Sequence, residues 1–228
     1  MRFRTSKTWL VAMGLVGACG STEPRAPVRM TAAGCVAPPG DGCAIPVDDG
    51  SFVKAVAPVT DGVAGGISTA VVTYEAGRIC MAGTVDPGPA GTGWGAILLA
   101  SLRGFGPTSV GPFDATARGI EQVRFTVENP PLTGVLPQMV QLASADCTTV
   151  ACLRPFDPAS AIDEPQTVAV ALASFDRPDA EHPNTALDPT LLTIVQFYVA
   201  PLPGMKLPYD FCIKGLTFLD GAGHEVVP

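Results

Sequence analysis

Prolines decide what this chain can become. There are 23 of them in 228 residues, scattered rather than clustered, and each lacks a backbone donor and clashes with the preceding turn of a helix. No window carries helical periodicity for more than a couple of turns, so the chain has to be assembled from short extended segments joined by turns. Strand candidates rich in Val, Ile, Thr or aromatic residues cover 52–57, 68–74, 78–85, 94–103, 120–128, 139–143, 167–174, 191–200 and 209–219, and nearly every gap holds Gly, Pro, Asp or Asn.

Two of these segments say more. In Gln122-Val123-Arg124-Phe125-Thr126-Val127-Glu128 the alternation is strict, which turns Val123, Phe125 and Val127 to a core and Arg124, Thr126 and Glu128 to water. Trp94 to Ala100 is continuously apolar instead, which predicts a strand covered on both faces. No repeat of fixed period points to a propeller or solenoid. The expected class is all-β, a two-sheet jelly-roll β-sandwich, because the connections are too long and irregular for an up-and-down barrel.

The first residues carry an address. Arg2, Arg4 and Lys7 precede an apolar run from Trp9 to Val16 and a small-residue stretch, Leu15-Val16-Gly17-Ala18-Cys19. About ten apolar residues are half of the roughly 20 that a spanning helix needs, and the order of charged, apolar and small residues is that of a secretory signal. The segment resembles bacterial lipoprotein signals, which implies cleavage before Cys19 and acylation of that cysteine. Three acyl chains, at about 0.8 kcal/mol per buried methylene, hold a protein to a bilayer permanently. Gly20 rather than Asp after the cysteine resembles the outer-membrane variant of the signal. The competing reading, an ordinary secretory signal followed by Ala-Cys, exports the chain as well, and both imply an oxidising compartment.

The expected organisation is therefore a signal over 1–18, a tether over 19–44 and one β-domain over 45–228. The tether segment is rich in Pro, Gly and small residues and has no sustained period. Its expected location is the cell envelope of a Gram-negative bacterium, lipid-anchored at the outer membrane or cell surface. Without 1–18, the 14 basic residues fall by three to 11 against 21 acidic ones, a balance of −10. Lys and Arg stand singly, with no basic stripe for phosphates, so nucleic acid is not an expected partner. A domain of this size buries roughly 70 % of its unfolded surface, enough for one core.

Setting Cys19 aside leaves six of the seven cysteines: Cys35, Cys43, Cys80, Cys147, Cys152 and Cys212. Six cysteines admit 15 pairings. The short separations of Cys35 from Cys43 and of Cys147 from Cys152 favour local staples, which leaves Cys80 with Cys212, a closure contributing about 4 kcal/mol in the loop-entropy model. Zinc is disfavoured, since no CxxC occurs and His182 and His224 have no ligand partner at metal spacing. Motifs of nucleophilic, metalloprotease and nucleotide chemistry are also missing, and neither histidine sits in a triad pattern. The chain reads as a non-enzyme.

Three segments in order carry a family resemblance: Gly77-Arg78-Ile79-Cys80-Met81-Ala82-Gly83-Thr84-Val85 with Trp94-Gly95-Ala96; Phe113-Asp114-Ala115-Thr116-Ala117-Arg118-Gly119-Ile120 running on to Phe125; and Leu187-Asp188-Pro189 to Phe197 with Tyr209-Asp210-Phe211-Cys212-Ile213. Together they resemble the jelly-roll carbohydrate-binding modules, the galactose-binding-domain-like sandwiches, and secreted myxobacterial-type lipoproteins built on them. The resemblance implies that an early and a late strand lie side by side, in agreement with Cys80 bonding Cys212.

It also implies sugar rings stacked on Trp or Tyr. Trp94, Tyr74 and Tyr198 are the candidates, with core packing as the competing role of Trp94. Structural calcium is implied at an early acidic pair, Asp48 and Asp49, with a turn at Asp49-Gly50 as the plainer reading. Lys214-Gly215 departs from the ligand pattern of the final strand, and Asp176, Asp179, Glu181 and Asp188 read as a solvated loop. The expected function is a membrane-anchored, non-catalytic module that binds glycan or polysaccharide at the cell surface. The alternative is a structural or protein-interaction lipoprotein that keeps the sandwich without sugar binding.

Overall fold

The computed structural model describes residues 35–37, 44–64, 66–75, 77–105, 110–144, 147–155, 161–175 and 187–228, with backbone alone for 35–37, 63–64, 142–144 and 147–155. Cys19, the signal, Cys43 and most of the Asp176 loop lie outside these residues. So do the side chains of Cys35, Cys147 and Cys152, and with them both short staples.

Two antiparallel sheets face each other. The first joins β1 (Cys35–Ala37), β4 (Thr69–Glu75), β5 (Arg78–Val85), β12 (Leu207–Leu219), β7 (Gln122–Glu128) and β10 (Gln166–Ala171) in that order, with β13 (Glu225–Val226) paired to the end of β12. The second joins β2 (Ile45–Pro46), β3 (Ala55–Thr60), β6 (Ala96–Ser101), β11 (Leu192–Val199), β8 (Leu136–Ser144) and β9 (Cys147–Pro155). Successive strands repeatedly change sheets, as from β3 to β4, β5 to β6, β7 to β8 and β11 to β12. This is the two-sheet jelly-roll sandwich that the turn-rich sequence predicts.

The strand expected to begin at Phe52 starts at Ala55, because Phe52 and Val53 bend into the core ahead of the ladder. Residues 35–37, inside the segment read as tether, pair along β4 instead. Cys147 and Cys152 both lie on β9, whose register against β8 shifts opposite the interval between Leu142 and Ser144.

The core lies between the sheets, and Phe125 of β7 meets Phe197 of β11 edge to face across it at 5.0 Å. Burial along β7 alternates as its sequence does, with Val123, Phe125 and Val127 fully inside. The apolar β6 is covered twice. Ala96, Leu98 and Ala100 face the main core, while Leu99 joins Val140 and Ile194 in a second cluster on the outer face, where Phe105 packs over them. On that same face the side chains of Gln138 and Gln196 are buried and the Gln196 amide donates to the Gln138 amide oxygen, which pairs two polar groups largely withdrawn from water.

Cys80 and Cys212 sit directly opposite each other on β5 and β12 and form a disulfide, with Cα atoms 4.0 Å apart. The expected pairing and the expected neighbouring of an early and a late strand both hold. Among the described residues no helix is long and apolar enough to cross a membrane.

Candidate functional site

The strands run between two ends, and the chain's chemistry collects there. One end is organised by Asp61, which follows β3 and is fully buried. Its Oδ1 accepts the Ser68 N–H at 3.1 Å, and its Oδ2 accepts the Ser68 hydroxyl at 2.9 Å and the Gly95 N–H at 2.8 Å. Ser68 Oγ in turn accepts the Asp86 N–H at 2.9 Å. One carboxyl thus ties the connections leading into β4 and β6, and it makes no ion pair with any described residue. Space is tight around it: a Cβ on Gly66 would lie 2.1 Å from Asp61 Cγ. At Gly95, with φ of +115°, a Cβ would lie 2.2 Å from the Val199 carbonyl oxygen, so only glycine fits there.

Trp94 and Tyr198 stand at this end, both half-buried, with the Tyr198 hydroxyl donating to the Trp94 carbonyl. Burial, helped by Coulomb repulsion from Asp61, pushes the Tyr198 phenol up to about 12. The same causes raise Tyr209, whose hydroxyl donates to the Thr69 carbonyl at 2.8 Å. Tyr198 therefore has its polar atom committed inward, which weakens it as a hydroxyl for a ligand.

Tyr74 is elsewhere. It lies at the far end of β4, packs on the core and gives its hydroxyl to Asp49 Oδ2. The three aromatic candidates are divided between the two ends and do not form one platform.

The Asp48–Asp49 pair does not fit calcium. Asp49 Oδ1 accepts the Ser51 N–H at 2.9 Å while Oδ2 takes the Tyr74 hydroxyl, so both oxygens already have donors. No group of three or more metal-ligating side chains occurs among the described residues. The turn reading of Asp49-Gly50 holds. Partial burial pushes the Asp49 carboxyl up, but the hydrogen bonds from Ser51 and Tyr74 outweigh it and hold the group below the usual carboxylate range. Tyr74 is raised to about 12, by burial first and by the Asp49 bond second.

Asp49 leads to the other end, where β3 begins, β6 finishes and β11 begins. An open cleft of about 550 Å³ lies there, with Phe52, Leu102 and Phe113 in its floor and Lys54, Asp114 and Arg118 at its rim. Phe52 meets Phe113 edge to face at 5.1 Å, and both meet Phe218. The Arg118 guanidinium sits 5.3 Å from both the Phe52 and Phe113 ring centroids. It has no acidic partner among the described residues, and Lys54 Nζ donates to the Ser51 carbonyl at 2.8 Å.

The turn that carries Arg118 is fixed at several points. Phe113 exchanges backbone hydrogen bonds with Leu192, the Ala115 N–H donates to the Pro189 carbonyl, and Asp114 Oδ1 accepts the Ala117 N–H at 2.8 Å. Arg118 is thus presented, exposed, on a held frame with its guanidinium over two rings. Such a volume suits one or two sugar-sized groups, and the rim offers both donors and acceptors. A second, shallower cavity of about 320 Å³ lies against the same turn, lined by Thr116, Ile120, Glu121 and Leu172.

Sequence reasoning named the segment from Phe113 to Ile120 only as part of a resemblance and passed over Lys54, Asp61 and Arg118. Asp61 precedes glycine and reads as a turn residue. Arg118 gains its meaning from Phe52, which is far from it in sequence. Asp188 is where the sequence placed it, in a loop, with its N–H donating to the buried Gln141 amide oxygen at 2.8 Å.

No family model matches the sequence, and no curated protein matches it. Similar solved structures include a family 11 carbohydrate-binding module of the cellulosomal cellulase Lic26A-Cel5E of Clostridium thermocellum, with a TM-score of 0.44 and 10 % identity over 78 % of this chain and 95 % of that one. A family 30 carbohydrate-binding module gives 0.41 and 12 % over 66 % and 71 %. The family 11 module in complex with a β-1,3-1,4-mixed-linked tetrasaccharide gives 0.38 and 10 % over 84 % and 98 %. At these scores the likeness transfers no function, and the sandwich assignment rests on the strand order itself.

Proposed function

We propose that this protein is a non-catalytic, glycan-binding module held at the cell envelope by a lipid on Cys19, with its sugar site in the Phe52-end cleft. The observation that carries this reading is the cleft itself: an apolar floor, a guanidinium over two rings without an acidic partner among the described residues, and a carboxylate and an ammonium within the same rim. Apolar sugar faces pack on such floors, and hydroxyls use donors and acceptors alike. The sequence resemblance to carbohydrate-binding modules points the same way.

Affinity electrophoresis against a panel of soluble polysaccharides tests it. At least one should retard the protein. Arg118→Ala should weaken that binding about tenfold or more, about 1.4 kcal/mol, while Trp94→Ala at the opposite end leaves it unchanged. Retardation by none of the polysaccharides overturns the glycan reading; retardation lost with Trp94 and kept without Arg118 moves the site to the other end. Labelled palmitate should enter the wild-type protein in bacterial cells and be absent from Cys19→Ser.

The alternative, a scaffold or protein-interaction lipoprotein, is favoured by one observation. The aromatic candidates are separated, and the Tyr198 hydroxyl is already bonded within the fold.

A further inference from the structure

The Asp61 end has a surface unlike the rest of the molecule. Six large apolar side chains are prominently exposed among the described residues, and four belong to the connections at this end: Ile67 at 55 %, Leu132 at 91 %, Leu202 at 38 % and Met205 at 50 %. They stand on the β3–β4, β7–β8 and β11–β12 connections, and Trp94 stands on the β5–β6 connection between them. The two sheets order these crossings side by side as β3–β4, β5–β6, β11–β12 and β7–β8.

Charge is almost missing there. Of the ionisable side chains in residues 60–68, 86–95, 129–135 and 200–206, Asp61 is buried, Asp86 accepts the Gly88 N–H, and only Lys206 is an exposed charge. Exposed Asp163 and Glu164 flank the Leu132 crossing, next to the Ile162–Val135 bridge, and exposed Asp210 begins the outer face of β12. In a chain of net charge −7 this is an unusually neutral surface.

We propose that this end is a direct membrane contact, with Ile67, Leu202, Met205 and Leu132 entering the boundary between headgroups and acyl chains of a zwitterionic bilayer. Three features select a bilayer over a shaped partner. The apolar groups stand on separate connections at an end, whereas the two cavities described above lie at the opposite end. The polar atoms here are used within the fold, by Asp61, Ser68, Tyr198 and Tyr209, so little remains for directional recognition. Lipid needs no directional partner and accepts a shallow row of apolar side chains. Flanking acids oppose anionic lipid, hence a zwitterionic surface. Residues 20–34, between Cys19 and β1, reach at most about 50 Å when extended. With Cys19 lipidated, a part of the proposed function on which this step rests, a domain tethered so closely meets the membrane at high effective concentration, so a weak contact becomes an occupied one. The inference does not depend on glycan binding.

Trp94 is a built-in reporter once Trp9 is replaced. The full chain with Trp9→Phe is bound to phosphatidylcholine vesicles whose acyl chains carry bromine, and flotation confirms that it is bound. Heavy-atom quenching acts at short range, so a contact about 5–10 Å deep should quench Trp94 emission by about half. The triple change Ile67→Asp, Leu202→Asp and Met205→Asp should restore the emission while flotation through the N-terminal segment persists. An unfolded triple variant would show as loss of near-ultraviolet dichroism, and Met205→Asp alone then serves, with a partial recovery expected. Unquenched Trp94 in floating wild-type protein overturns the proposal. So does quenching that survives both sets of changes, or sedimentation showing that the end pairs two copies of the chain while Trp94 stays unquenched.

Discussion

The two ends of this sandwich are built from the same strands and use their polar atoms in opposite ways. At the Asp61 end, carboxyl, hydroxyl and amide groups turn inward and bond one another, which leaves an outer surface of Ile67, Leu202 and Met205. At the Phe52 end the aromatic rings turn inward and the charged groups of Lys54, Asp114 and Arg118 stay outside. What is buried at an end fixes what is left to face the surroundings. The inward polar network suits contact with a medium that forms no hydrogen bonds, and the inward rings suit a ligand rich in them.

The largest expected effect lies midway between the ends. Removing the disulfide with Cys80→Ser and Cys212→Ser opens a link spanning 132 residues, and should lower stability by about 4–5 kcal/mol in guanidinium unfolding. Amide exchange should then loosen both ends together. Loosening confined to one end would show that the ends are independent units and break the comparison.

Next comes Asp61→Ala, which orphans the backbone N–H groups of Ser68 and Gly95 in the interior, at about 1–3 kcal/mol for each buried unsatisfied group, and leaves the Ser68 hydroxyl only its longer bond to the Asp86 carbonyl at 3.3 Å. We expect a loss of about 3 kcal/mol or more, against less than about 1 kcal/mol for Arg118→Ala, whose exposed cation–π contact is worth little to the fold. A larger effect from Arg118 than from Asp61 in the same unfolding experiment would reverse the roles of the two ends.

The smallest effect concerns alkaline pH. All three tyrosines, Tyr74, Tyr198 and Tyr209, are raised above their ordinary value of 10.0, by burial first. A phenol whose pKa is higher in the folded state stabilises the fold below its unfolded pKa of about 10 and loses that contribution as pH rises towards the folded value. Tyrosinate absorbance of the native protein should therefore appear only as pH approaches 12, and in guanidinium near pH 10. A phenol titrating near 10 in the native state would identify an end that is open to water, and site-by-site replacement with Phe would say which.

Much of the fold was legible because it is carried by period and by cysteine arithmetic. Val123, Phe125 and Val127 announce an inner face by alternation, and the pairing of Cys80 with Cys212 follows once the short separations are set aside. Strands of two or three residues such as β1, β2 and β13 have no period to read. The site was less legible, for a physical reason. Arg118 matters through Phe52, and Asp61 through Gly95, and neither pair is close in sequence. Trp94, Tyr74 and Tyr198 stand out in the sequence by residue type, and type alone does not tell which end of a strand a ring occupies.

The placement of β12 bears on when this fold can form. Leu207–Leu219 lies between β5 and β7 in the first sheet and comes late in the chain. Until a ribosome has made it, β5 and β7 each expose an unpaired edge and Cys80 lacks the partner it has in the fold. Those earlier strands must wait for their central neighbour, which leaves their edges exposed to aggregation for as long as that wait lasts.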